Sequence, residues 1–259
     1  MRFGCCTSLK NIELVEKAGY DYIEPTVIDT LVPEEDEPTF NKIRNLAEQA
    51  TIIPEAFNVF MPGDLKITGA NIDFTRLIHY VSTATHRAKL LGGRILVFGS
   101  GDSRKIPVGF SRDKAEKQLI DFLTMAGDYA AENEVIIALE PLNRAETNII
   151  NSVPETVNFA HRVNHPAIKV LADLFHITQE NEPVKNLLLA KNELIHIHIA
   201  EPGERLLPGT NKNYDYTPFF SVLKQIDYSH RISIECKWSD FAHQLDFALV
   251  YLKSFIKSL

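Results

Sequence analysis

Short apolar runs alternate with amphipathic segments from one end of the chain to the other. The runs predict strands at Arg2 to Cys6, Tyr22 to Glu24, Ile52 to Phe57, Arg94 to Phe98, Val135 to Glu140, Ile168 to Asp173, Leu194 to Ile199 and Ile232 to Cys236. Between them, Phe74, Leu77, Ile78, Val81 and Ala88 recur at helical spacing, as do Ala115, Leu119, Phe122, Leu123, Ala126 and Ala130. A last helix repeats the pattern with Phe241, Leu245, Ala248, Leu249, Leu252, Phe255 and Ile256. Ser152 with Pro154 and Glu155, and Thr217 with Pro218, mark two helix starts, because a hydroxyl cap and an early proline suit the first turn.

Eight strands alternating with helices, with no break in composition, predict a parallel sheet closed into a single (β/α)8 TIM barrel over residues 1–259. An open doubly wound sheet is the weaker fit, since no GxGxxG follows the first strand. A formal charge of −7 without a basic cluster argues against a nucleic-acid partner and leaves a small molecule as the expected ligand. Cys5, Cys6 and Cys236 lack CxxC spacing, which argues against structural zinc and suits a reducing compartment. The apolar run in MRFGCCTSLK is too short for a signal peptide and no stretch reaches the length of a membrane span. A cytoplasmic protein is the expectation.

Four ionisable residues stand at predicted strand ends: Glu140 in VIIALEPLNR, Asp173 in IKVLADLFH, His198 in LIHIHIAE and Glu235 in ISIECKW. Barrel enzymes place their chemistry at the C-terminal ends of the strands. Side-chain alternation turns His196 and His198 toward the interior and Ile195, Ile197 and Ile199 toward the helices. Same-face neighbours lie about 6.6 Å apart, too far for both imidazoles to reach one metal. His198, nearer the strand end, is the candidate ligand, and His196 is read as a hydrogen-bonded interior residue. Three carboxylates entering one barrel mouth need cations around them. A divalent metal meets that need, and so does an ion-pair network with Arg104, Arg144, Arg205 and Lys237; barrel geometry alone favours neither.

The segments LEPLNRAE, LADLFH, HIHIAEPGERLLPG and ISIECKW, in this order, resemble the xylose isomerase-like sugar isomerase and epimerase superfamily, and within it the ketose 3-epimerases. The resemblance spans essentially the whole chain. It implies that Glu140, Asp173, His198 and Glu235 ligate one divalent metal, with Mn2+ favoured over Mg2+, Co2+ and Zn2+ by the hard donor set. No organic cofactor is implied. Glu140 and Glu235 would also be the acid/base pair, and Glu146, His176 and Arg205 would contact the sugar. The family's arginine after the His198 segment falls at Glu204 or Arg205, depending on a one-residue gap.

The implied reaction is epimerisation of a ketose at C3. A cation holding the carbonyl and the adjacent hydroxyl stabilises the enediolate, while one carboxylate removes the proton and the other returns one to the opposite face. Aldose-ketose isomerisation of a sugar phosphate and dehydration of a sugar or cyclitol are the alternatives within the superfamily. An apurinic endonuclease would need further histidines where FNVF and VFGS stand. The resemblance also implies a homo-oligomer, dimer or tetramer.

Other features carry less weight. Glu24, at the end of the second strand, is a candidate for shaping the pocket but reads more readily as an ion-pair partner or helix cap, and Cys5 and Cys6 read as barrel packing. Phe57, Phe60 and Trp238 are candidate apolar walls for a sugar and read equally well as core. Residues 97–104, VFGSGDSR, offer backbone amides to a hydroxyl or phosphate oxygen. The loops Val32 to Glu37 and Pro202 to Lys212 read as mobile, the second placed to close over a substrate.

Overall fold

The computed structural model describes residues 1–259. Its strands are β1 (Arg2–Cys6), β2 (Tyr22–Glu24), β3 (Ala56–Phe57), β4 (Ile95–Phe98), β5 (Ile136–Leu139), β6 (Ile168–Asp173), β7 (Leu194–Ile199) and β8 (Arg231–Ile234). They pair in parallel in the order β2-β1-β8-β7-β6-β5-β4-β3. Isolated bridges Ile23–Pro54 and Thr26–Asn58 span the seam between β2 and β3, so the sheet forms a nearly closed barrel with helices outside it.

β3 is shorter than the apolar run Ile52 to Phe57 predicts. Pro54 has no N–H to give a ladder, and the Ile53 carbonyl instead accepts the Ile23 N–H at 3.3 Å across the seam. β5 and β8 stop one residue before Glu140 and Glu235, yet each glutamate N–H still bonds the neighbouring strand, Glu140 to Phe98 O at 3.3 Å and Glu235 to Ile199 O at 3.1 Å. Both side chains therefore leave the barrel rim at fixed positions.

Helix Val153–Val163 starts as predicted, with Ser152 accepting the Glu155 N–H and a proline in its first turn. Thr217 is instead the first residue of helix Thr217–Gln225, and Asp215 accepts its N–H at 2.9 Å. In helix Phe74–Leu90 the buried arc is Leu77, Tyr80, Val81, Ala84 and Ala88. Phe74 and Ile78 are exposed, contrary to expectation; Ile78 lies about 100° around the helix from Leu77, at the edge of that arc. No helix is long and apolar enough to cross a membrane.

Two apolar layers hold the fold. The outward residues of the strands, such as Cys5, Ile137, Ile197, Ile199 and Ile232, pack under the helices. A smaller cluster of Tyr22, Ala56, Ile95, Val97, Ala138 and Leu171 fills the interior. The β6–β7 register shifts between Val170, opposite Leu194, and Leu171, opposite His196. Ile195 is therefore an extra residue and packs on the interior cluster rather than on the helices. Beyond this bulge the alternation resumes as predicted. His196 and His198 are fully buried inside the barrel.

Candidate metal centre

The ends of β5, β6, β7 and β8 bring Glu140, Asp173, His198 and Glu235 together, with one ligating atom from each lying within 4.8 Å of the others. His198 Nδ1 is 3.3 Å from Glu140 Oε1 and 3.2 Å from Glu235 Oε2. All three atoms are buried and none has a hydrogen-bond partner. Nε2 of the same ring lies 2.7 Å from Glu24 Oε1, so Nε2 carries a proton toward Glu24 and Nδ1 faces two carboxylate oxygens. Such a convergence repels itself unless a proton or a cation stands at its centre.

The electrostatics agree. Burial opposes charge on His198, but Glu24 and Glu235 outweigh it and hold the imidazole well above the ordinary histidine pKa. Burial also pushes the Glu235 carboxyl up, and His198 and Arg205 overcome it to bring the group down to about 2. At Glu140 burial wins, and the carboxyl stays above its usual range despite His198. Asp173 accepts the Phe175 N–H at 2.8 Å through Oδ1 and the Arg205 guanidinium at 2.7 Å through Oδ2. Three carboxylate oxygens and one imidazole nitrogen are a donor set that fits a hard or borderline divalent cation.

Of the four cationic residues weighed for an ion-pair network, one reaches the cluster. Arg205 Nη2 lies 2.7 Å from Asp173, 3.1 Å from Glu235 and 3.0 Å from His176 Nε2, and its guanidinium sits 4.7 Å from the Phe175 ring centre. Arg104 is fully buried but donates to the backbone carbonyls of Phe98 at 2.9 Å and Glu140 at 2.8 Å, tying β4 to the end of β5. Arg144 pairs with Glu180, and Lys237 reaches only exposed Glu204. That guanidinium serves Asp173 and Glu235, while the Glu140 carboxylate faces His198 Nδ1.

Of the two residues considered after His198, it is Arg205 that reaches the cluster. Arg205 takes a left-handed φ of 58° that turns it inward, while the Glu204 side chain is 85% exposed. Fully buried Glu201 holds this loop, accepting the N–H groups of Gly209 at 2.6 Å and Asn211 at 2.7 Å and the Tyr216 hydroxyl at 3.2 Å.

The cluster opens into a cavity of about 220 Å³ whose lining includes Asn58, Ser100, Glu146, His176 and Arg205. Asn143 links two of these candidate substrate residues, its side chain donating to Glu146 at 2.9 Å and its N–H to His176 Nδ1 at 3.1 Å. Gly99, Ser100 and Gly101 of VFGSGDSR form one wall. A Cβ on Gly99 would lie 2.2 Å from Glu140 Oε2, so only glycine leaves the carboxylate its place. Phe57 and Phe60 are buried in the outer core and Trp238 packs on Phe241, so the apolar contacts come from Val59 and Leu142 instead. A larger groove of about 430 Å³ beside Met1, Leu223 and Leu259 carries no comparable polar cluster.

Glu24 had no distinct signal in the sequence beyond its strand-end position. It is fully buried and receives His196 Nε2 at 2.8 Å, His198 Nε2 at 2.7 Å and the Ser233 hydroxyl. Cys6, read as packing, also faces the interior, with Sγ 4.0 Å from His198 Nε2; burial pushes its thiol pKa up. Cys6, Glu24 and His198 form a second cluster of metal-ligating types. The 2.7 Å Nε2–Oε1 separation is a hydrogen-bond length, shorter than the roughly 3.3 Å between ligands around a tetrahedral ion.

Residues 12–254 match the family described as xylose isomerase-like TIM barrel. An L-ribulose 3-epimerase of Methylomonas sp. is 30% identical over 92% of this chain and 86% of its own length. A D-psicose 3-epimerase of Agrobacterium fabrum is 25% identical over 86% of this chain and 77% of its own. Among solved structures, a D-allulose 3-epimerase from Methylomonas sp. in complex with D-allulose superposes with a TM-score of 0.83 at 26% identity, covering 98% of this chain and 96% of the other.

Proposed function

The chain belongs to the xylose isomerase-like TIM-barrel family, its relatives are carbohydrate epimerases, and we propose that it inverts C3 of a ketose by metal-dependent two-base proton transfer. The observation that carries this reading is the convergence of Glu140 Oε1, Glu235 Oε2 and His198 Nδ1, buried and without hydrogen bonds of their own, at the mouth of a polar cavity. Glu140, Asp173, His198 and Glu235 are the ligands, with Mn2+ favoured. A divalent cation held there supplies Lewis-acid stabilisation of the negative charge that develops on the carbonyl and neighbouring hydroxyl oxygens.

The protein's own groups do the rest. Of Glu140 and Glu235, one removes the C3 proton and the other returns one to the opposite face. Arg205, Glu146 and His176 orient the sugar hydroxyls at the rim. The chain works as one catalytic domain in the cytoplasm, as a dimer or tetramer. A DNA-cleaving reading has no support here, because Asn58, Val59, Gly99 and Ser100 occupy the rim where further histidines would be needed.

Glu235→Gln and Glu140→Gln test the scheme. Each should lower epimerisation of L-ribulose or D-allulose by at least about 10²-fold, with circular dichroism unchanged. A Glu235→Gln protein that keeps most of its activity refutes the two-base assignment.

A further inference from the structure

Glu24 lies on β2 and His198 on β7, two strands separated in the sheet by β1 and β8. Their contact therefore crosses the barrel interior, and no backbone pairing requires it. A whole layer of side chains serves this crossing. Gly4 on β1 has no side chain because Tyr22 fills that space, with a ring atom 2.1 Å from where a Cβ would stand. The Tyr22 hydroxyl meets Ser233 Oγ at 2.8 Å, and Ser233 in turn donates to Glu24 Oε2. His196 Nε2, 2.8 Å away, shares that oxygen, which leaves Oε1 to His198 alone.

We propose that Glu24 is a positioning residue, fixing His198 with its proton on Nε2 so that the Nδ1 lone pair points at the convergence of Glu140, Asp173 and Glu235. The opposite tautomer would set a ring lone pair against a carboxylate oxygen 2.7 Å away. His196 packs edge-on against the ring, at 5.0 Å between centroids. Glu24 thus presets the orientation of the ring that supplies the one nitrogen donor of the set before any cation arrives. Loss of such an outer partner typically weakens metal affinity by about 10- to 100-fold.

The inference rests on the metal-site reading, and the test separates the two. Full-length metal-stripped wild-type protein and Glu24→Gln are titrated with Mn2+. A glutamine offers one acceptor where two imidazole N–H groups need one each, so Mn2+ affinity should fall about 10- to 100-fold. Long-range ¹H–¹⁵N spectra of ¹⁵N-histidine-labelled, Zn2+-loaded wild-type protein should show His198 bound through Nδ1 with its proton on Nε2, a readout that needs no variant to fold. Affinities within twofold of each other, or a wild-type His198 carrying its proton on Nδ1, overturn the role of Glu24 alone. Wild-type protein that takes up no Mn2+ overturns the metal-site reading itself.

Discussion

Gly99→Ala is a single-methyl probe of the candidate site. The new Cβ would stand 2.2 Å from Glu140 Oε2, 3.3 Å from its carboxyl carbon and 3.5 Å from a Leu142 methyl. Ordinary contact begins near 3.4 Å, so the carboxylate must retreat by about 1.2 Å. Oε1 of that carboxylate is the atom 3.3 Å from His198 Nδ1, and moving it opens the donor set. Misplacement of a reacting group by about 1 Å typically costs about 10²-fold in rate. Gly99 is outside the left-handed region, so alanine fits its backbone. Overpacking of about 1–3 kcal/mol is then partly offset by a Gly-to-Ala gain of about 0.4–1 kcal/mol. Ketose epimerisation at saturating Mn2+ should drop about 100-fold, while the urea unfolding free energy changes by no more than about 2 kcal/mol. A variant that keeps more than half its activity and its Mn2+ affinity refutes the reasoning.

Two other perturbations follow from the same geometry. Arg104→Ala removes a buried guanidinium bonded to the carbonyls of Phe98 and Glu140 and should cost about 2–4 kcal/mol in a denaturant melt; Arg104→Lys should not rescue it, since a point charge cannot bridge both strands. His198 has a pKa raised above the ordinary value by Glu24 and Glu235 against the pull of burial. In the metal-stripped protein its ion pairs stabilise fully below about pH 6.5 and are lost as pH rises through the folded value, so the urea midpoint should fall from pH 6 to alkaline pH. Mn2+ must displace the same proton, and its apparent affinity should rise about tenfold per pH unit until that value is passed. Affinity independent of pH would show that His198 is not a ligand.

The convergence of Glu140, Asp173, His198 and Glu235 was legible because a strand's two-residue period and its end fix both the face and the depth of a side chain, and each of the four occupies such a position. The same logic applied to Tyr22 and Glu24, but one acidic residue at a strand end has many uses, and its two histidine partners lie more than 170 positions away. Local rules failed where one residue changed the register. Pro54 cut β3 short, and the extra residue on β7 turned Ile195 inward. Arg205 was unresolved against Glu204 because a left-handed φ in an irregular loop leaves no periodic trace. The aromatic walls were misplaced for a related reason: Phe57 and Phe60 read equally well as core, and the core claims them.

The central claim is tested most directly by proton NMR of L-ribulose and D-allulose in D2O with Mg2+-loaded and then metal-stripped protein. The account predicts loss of the C3 proton signal only with metal present, and its persistence with Glu235→Gln. Exchange confined to C1, or exchange at C3 that survives metal removal, would contradict it.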